Sequence, residues 1–207
     1  MFGRAVALSL TSQGQSVLGI DSNRDEVDRI ASELDTVVCA DSTDEEALRE
    51  LRIDRIGCAV VAIGAESMEA SILTTTLLRQ LGVPQIVARS LGSLHARVLR
   101  AVGAHRVVSP EWEMGVSLAQ QLAQPSVLDR FDLGDEVEVI EIEAPQSFVG
   151  QTLVELDVRR RFSISVAAIR RGDRVYATLE GGEQIGNGDV LVVIGRAEAI
   201  AKLAALA

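Results

Sequence analysis

Few residues of this chain are placed to do chemistry, and those that are sit at the ends of apolar runs. Asp21 closes the run "VLGID". In dinucleotide folds an acid at that place accepts hydrogen bonds from ribose hydroxyls, and a glycine fingerprint lies about 20 residues upstream. Gly3 fits the third glycine of G-x-G-x-x-G, and the other two would fall before Met1. Asp41 and Ser42 follow "TVVCA", and "CAVVAIG" ends at Ile63 and Gly64 before continuing into "AES". Arg89 ends "QIVAR", where it could neutralise a phosphate or stand as a surface arginine. All lie at the carboxyl ends of strand-like runs, the edge where open α/β sheets bind ligands. The plainer reading of Asp21 is a solvated loop acid.

Other chemistries find less support. Cys39 and Cys58 are the only cysteines, and without a C-x-x-C spacing each reads as a small buried hydrophobe in an apolar run. His95 and His105 have no nearby ligand spacing. The formal charge of −10 argues against a nucleic-acid binder that works by phosphate neutralisation. No apolar run approaches the roughly 18 residues of a spanning helix, and no leader pattern precedes the first helix. A cytosolic protein is expected, without direct membrane insertion.

These residues need a frame to hold them together. At 207 residues, 47% hydrophobic and 24% charged, the chain has the composition of a globular protein with one large or two modest cores. Helical patterns over 4–14, 23–34, 43–51, 69–81, 95–103 and 110–123 alternate with the short apolar runs at "SVLGID", "TVVCA", "CAVVAIG", "QIVAR" and "HRVVS". Thr43 and Glu46 have the spacing of a capping box. Strands separated by single helices mean parallel pairing and right-handed crossovers, so a Rossmann-like doubly wound α/β sheet is expected. Because the sequence opens inside the phosphate loop, the first and central strand of that sheet is missing from it, and two inner strand edges are expected to be unpaired.

The pattern changes after "QPSVLDRFDLGDE", and a domain boundary is expected near residues 124–135. From "EVEVIEIEA" the strands alternate, as in an antiparallel sheet with one wet face. A short helix over "TLVELDVRRR", strands "SVAAIRR", "RVYATLE" and "DVLVVIG", and a closing helix make a small α+β domain. The division expected is 1–130 and 131–207, with the helix from Pro110 included in the first.

At this point a family resemblance becomes specific. The stretches "VCADSTDEEALREL", "VVAIGAESMEASILTTTLLRQLGV" and "GAHRVVSPEWEMG" resemble the N-terminal RCK domain, TrkA-N. "FVGQTLVELDVRRRFSISVAAIRRGDRV" with "IGNGDVLVVIG" resembles its C-terminal partner, TrkA-C. The chain is thereby similar to the regulatory subunits of Ktr/Trk-type potassium uptake systems. The departure lies in the phosphate loop, where the family pattern close to G-x-G-x-F-G is represented only by Met1, Phe2 and Gly3.

The resemblance implies a cytosolic nucleotide-sensing subunit that gates a membrane potassium channel or transporter from its inner face. Such proteins form homodimers and then octameric rings. It implies an adenine nucleotide, ATP/ADP or NAD(H), with Asp21 and Asn23 at the ribose, Asp41 and Ser42 at the adenine, and Ile63 and Gly64 lining the cleft. Glu111 is implied as a ligand for a divalent or sodium cation near the phosphates; a glutamate stabilising a helix N-terminus is the alternative. Ile169, Arg170 and Arg171 match a strand that binds cyclic di-AMP in some relatives, or are a solvated strand end. Val116, Leu118, Ala119 and Leu122 form the apolar face on the helix that pairs subunits in the family. The competing functions are an NAD-dependent oxidoreductase and an RCK-type regulator of another cation transporter or antiporter. Against an enzyme, the second domain has no histidine, and Tyr176 has no lysine partner.

Overall fold

A computed structural model describes residues 1–64 and 67–206, with the side chain of Gln121 left aside. The chain divides into two compact units, Met1–Trp112 and Glu113–Ala207.

The first unit alternates helices and strands: α1 (Phe2–Ser12), β1 (Leu18–Asp21), α2 (Arg24–Ile30), β2 (Thr36–Cys39), α3 (Glu45–Glu50), β3 (Cys58–Val61), α4 (Met68–Gln80), β4 (Gln85–Arg89), α5 (Ser93–Ala101) and β5 (Arg106–Val108). All its strand pairs are parallel, as the crossovers require: β1 with β2, and β4 between β3 and β5. Among the described residues the sheet is interrupted, because β1 and β3 belong to separate hydrogen-bonded sets. One apolar cluster nevertheless serves both. Leu48, Ile53, Val61, Leu78, Ile86 and Leu99 are buried in it, and Leu18 and Ile20 of β1 pack against it.

The interruption corrects the expectation for the cysteines. Cys58 and Cys39 are both free and exposed. Cys58 opens β3, which among the described residues pairs on one side only, with β4. Val60, on the same strand, is exposed as well.

The second unit contains the rest of α6 (Pro110–Ala123) and then β6 (Val127–Gly134), β7 (Val137–Glu143), α7 (Leu153–Leu156), α8 (Val158–Phe162), β8 (Ile164–Arg171), β9 (Arg174–Tyr176), β10 (Val190–Arg196) and α9 (Ala197–Ala204). Its five strands lie in the order β6-β7-β10-β8-β9, every pair antiparallel. Ile140, Ile142, Ile169, Leu191 and Val193 face inward and pack with Phe148, Leu156, Ile200 and Leu203. The stretch expected to hold the boundary, 124–135, is mostly strand, β6. It turns into β7 through Gly134, Asp135 and Glu136, all with positive φ. The single helix expected at "TLVELDVRRR" is two, separated by Asp157 in the left-handed region at φ 41°.

Candidate functional site

The first strand tips are joined by backbone. Asp21 is opposite Cys39 in the β1–β2 register, and the Ala40 amide donates to the Asp21 carbonyl at 3.0 Å. Asp41 therefore follows directly from the tip that holds Asp21. Each acid is exposed and spends one oxygen on its own turn. Asp21 Oδ1 accepts the Asn23 amide at 2.9 Å, and Asn23 Oδ1 accepts the Asp25 amide at 2.9 Å, which caps α2. Asp41 Oδ1 accepts the Thr43 amide at 2.8 Å and the Thr43 hydroxyl at 2.7 Å. Those two donors, the amide first, hold the Asp41 carboxyl below the usual carboxylate range.

Thr43 is thereby taken from the role expected of it. The cap of α3 is Asp44, which accepts the Glu46 and Ala47 amides at 2.9 and 3.3 Å. Ser42, half-buried, is tied instead to α4: its hydroxyl meets Thr74 Oγ1 at 2.8 Å, and Thr74 Oγ1 donates to the Ser42 carbonyl at 3.2 Å.

Gly3 lies in the first turn of α1, and a Cβ there would come within 2.8 Å of the Ala62 Cβ. Close helix–strand packing is what the third glycine of the dinucleotide fingerprint provides. Ile63 and Gly64 follow β3, half-buried, with open space beside Gly64. Ala65 and Glu66, which the sequence put at the same rim, lie outside the described residues.

Arg89 and Glu111 are brought together. The Arg89 guanidinium, 17% exposed, donates through Nη2 to Glu111 Oε1, and its Nε is buried without a partner. Glu111 is held below the usual carboxylate range by its own backbone amide first and by Arg89 second. Both the phosphate role considered for Arg89 and the cation role implied for Glu111 thus start from one ion pair. Among the described residues no group of three or more His, Cys, Asp or Glu is arranged around a metal position. His95, buried on α5, accepts the Leu91 amide at 3.3 Å, and desolvation pushes its pKa down.

The second unit treats its candidates differently. Ile169 is fully buried in the core. Arg170 donates to Glu141 at 2.9 Å. Arg171 forks onto Asp189, Nε to Oδ1 at 2.9 Å and Nη2 to Oδ2 at 2.8 Å, and lies over the Tyr176 ring. Asp189 is buried, its side chain 1% exposed, and also accepts the Gly186 amide at 2.7 Å. The Arg171 fork is the first cause that holds the Asp189 carboxyl low. Sequence reasoning passed over Asp189, although an acid ending "GNGD" just before an apolar strand was the available signal.

On α6 the described side chains from Glu111 to Ala123 are exposed, among them Val116, Leu118, Ala119 and Leu122, with Trp112 at 75%.

The first unit is a Rossmann-like α/β scaffold with parallel strands and the second a small antiparallel sheet domain. Residues 1–110 match the TrkA-N domain and residues 137–207 the TrkA-C domain. The chain belongs to this TrkA family of RCK regulatory proteins. It is 36% identical over 194 residues to Ktr system potassium uptake protein C of Bacillus subtilis (strain 168), covering 94% of this chain and 87% of that protein. Ktr system potassium uptake protein A of Vibrio alginolyticus is 30% identical, with 97% and 90% covered. Among solved structures the GsuK channel superposes with a TM-score of 0.70 at 19% identity, over 99% of this chain and 37% of that one. The GsuK channel bound to NAD gives 0.66 at 19% identity, with 99% and 37% covered. The chain spans well under half of those channel chains, and at such identity the likeness speaks for the fold.

Proposed function

We propose that this protein is a cytoplasmic regulatory subunit that senses an adenine nucleotide and gates a membrane potassium-conducting partner. The observation that carries the sensing role is the joined rim of β1 and β2. Asp21 and Asp41 there are adjacent through backbone, exposed, and each keeps one carboxylate oxygen beyond its own turn. In this reading Asp21 and Asn23 hold the ribose, Asp41 and Ser42 the adenine edge, and Gly3 lets phosphate approach the start of α1. Ile63 and Gly64 line the cleft. The potassium role is supported by the names of the Ktr relatives, and nucleotide binding by the NAD-bound GsuK channel. The protein works by binding, not turnover: occupancy biases a two-state element coupled to the pore.

Residues 1–130 act as the nucleotide-binding half with its dimerisation helix, and 131–207 as the ligand-sensing half. The exposed apolar face of α6 pairs two copies, dimers assemble into an octameric ring, and the ring sits at the inner face of the membrane. A divalent or sodium cation beside the phosphates would share Glu111 with Arg89. Cyclic di-AMP at Ile169, Arg170 and Arg171 would have to exchange its phosphates for Glu141 and Asp189.

Calorimetric titration of the purified full chain with ATP, ADP and NADH tests the sensing role. Binding is expected, and Asp21→Ala is expected to weaken it about tenfold, the scale of hydrogen bonds to a charged group. A flat titration of the folded protein with all three nucleotides would overturn the proposal.

A further inference from the structure

At the amino ends of β4 and β5, away from the strand tips, two nitrogen groups meet that cannot bond each other. Arg79, in the last turn of α4, brings Nη1 within 3.3 Å of Nε2 of His105, just before β5. The other side of the imidazole decides where its proton lies. His105 Nδ1 accepts the Ile86 amide at 3.0 Å, and the His105 amide donates to the Ile86 carbonyl at 2.9 Å. A backbone amide only donates, so Nδ1 is bare and the proton of the neutral ring sits on Nε2. The opposite tautomer would let Arg79 donate, but it would set Nδ1–H against the Ile86 amide and orphan that donor. Ile86 is fully buried, whereas Arg79 is exposed and can turn its head to water. An unmade hydrogen bond costs far more at the buried end. The Nε2–H and the guanidinium are therefore both donors, aimed at one place.

The fold keeps this arrangement in position. A last-turn arginine ordinarily serves the carbonyls of its own helix end. Here those carbonyls are taken by backbone: Leu77 and Leu78 accept the Leu81 and Val83 amides, and Arg79 accepts that of Gly82. The Arg79 stem instead crosses Gly103, where φ is +117° and a Cβ would come within 2.6 Å of the Arg79 Cγ. Among the described residues no carboxylate lies within ion-pair distance of Arg79, nor of Arg100 and Arg106, which flank the same turn. In a chain of formal charge −10 this turn is a local basic exception.

We propose that Arg79 and His105 form a binding site for a phosphate-type oxyanion. One oxygen takes the His105 Nε2–H and the Arg79 Nη1–H together, and a second takes the other arm of the guanidinium fork. The surplus of arginine around the turn favours a dianion over a carboxylate. The site lies apart from the nucleotide rim and does not depend on it.

The test is long-range proton–nitrogen NMR of the histidine rings in the full chain, at constant ionic strength in chloride. Before any addition His105 is expected as the Nε2–H tautomer. Inorganic phosphate is expected to move its signals saturably, and acetate at the same concentration much less. Arg79→Met keeps an unbranched stem on Gly103 and removes the fork. Phosphate affinity read at His105 is then expected to fall about tenfold, the scale of hydrogen bonds to a charged group, with the melting temperature unchanged. His105→Asn keeps an acceptor for the Ile86 amide, because Oδ1 takes the place of Nδ1, and removes the second donor. Read at the Gly103 amide, it is expected to weaken phosphate severalfold. Glycerol phosphate separates a phosphate carried on a larger molecule from the free ion, and the tighter binder of the two names the source. A His105 ring protonated on Nδ1 alone would overturn the proposal. So would phosphate shifts that never saturate, or that are the same in Arg79→Met as in wild type.

Discussion

The rim of the first unit and the strand end of the second unit both gather charged residues at sheet edges, and they leave them in opposite states. At the rim, Asp21 and Asp41 are exposed, and each uses one oxygen to fix its own turn. At the end of β8, Arg170 and Arg171 are matched by carboxylates, one of them buried. The rim is a set of turns with hydrogen-bonding capacity to spare. The strand end is a closed clasp whose capacity is used within the fold. A ligand can add to the first; at the second it must compete.

The largest expected consequence concerns the clasp. Arg171→Ala strands the Asp189 carboxylate in a buried position. Breaking a buried pair from one side costs about 3–5 kcal/mol. Arg171 is 43% exposed, so solvent discounts that cost, and about 2–3 kcal/mol is expected in chemical denaturation of the protein. The pair also sets a pH limit. Asp189 is depressed in the fold, so its contribution is complete above the ordinary aspartate value of about 3.9 and drains away as pH falls through the lower folded value. In Asp189→Asn this portion of the acid limb is expected to be missing. An unchanged limb would mean that the clasp does not contribute to stability as described.

Gly3→Ala probes the rim's scaffold instead. Its Cβ would meet Ala62 at 2.8 Å, and overpacking of that kind costs about 1–2 kcal/mol. Thermal melting should show the loss, and nucleotide affinity should fall with it as α1 is pushed from β3. A variant as stable as wild type would mean that the helix and strand do not pack as closely as the geometry has them.

The smallest effect sharpens the contrast from the other side. Asp41→Asn keeps one acceptor oxygen for Thr43, removes the charge and turns the spare oxygen into an amide donor. Melting should change by less than about 0.5 kcal/mol, as for most exposed substitutions. Its adenine-nucleotide affinity should fall severalfold. A rim acid that mattered for folding and not for binding would reverse the comparison.

Much of the parallel half was legible because each strand is a short apolar run bounded by its own helix, and that alternation permits few topologies. What escaped was non-local. β6 hides its period because Leu128, Phe131 and Leu133 alternate with charged residues and are themselves exposed. The cap of α3 moved from Thr43 to Asp44 because Asp41, two residues earlier, claims the Thr43 hydroxyl. Cys58 read as buried because an apolar run gives no notice that one side of its strand lacks a neighbour. Asp189 opens the expected strand "DVLVVIG" with nothing local to mark it as buried, and only Arg171, 18 positions away, explains its burial. Of the site, the strand-tip positions were readable from spacing. Their hydrogen-bond partners, Thr74 above all, were not.

The exposure of the two thiols has a practical side. Cys39 ends β2 beside the Ser22 carbonyl and two positions before Asp41, whereas Cys58 begins its strand. One protein thus carries a chemical probe next to the rim and a second for reference, so the ratio of their alkylation rates would report occupancy without any introduced label.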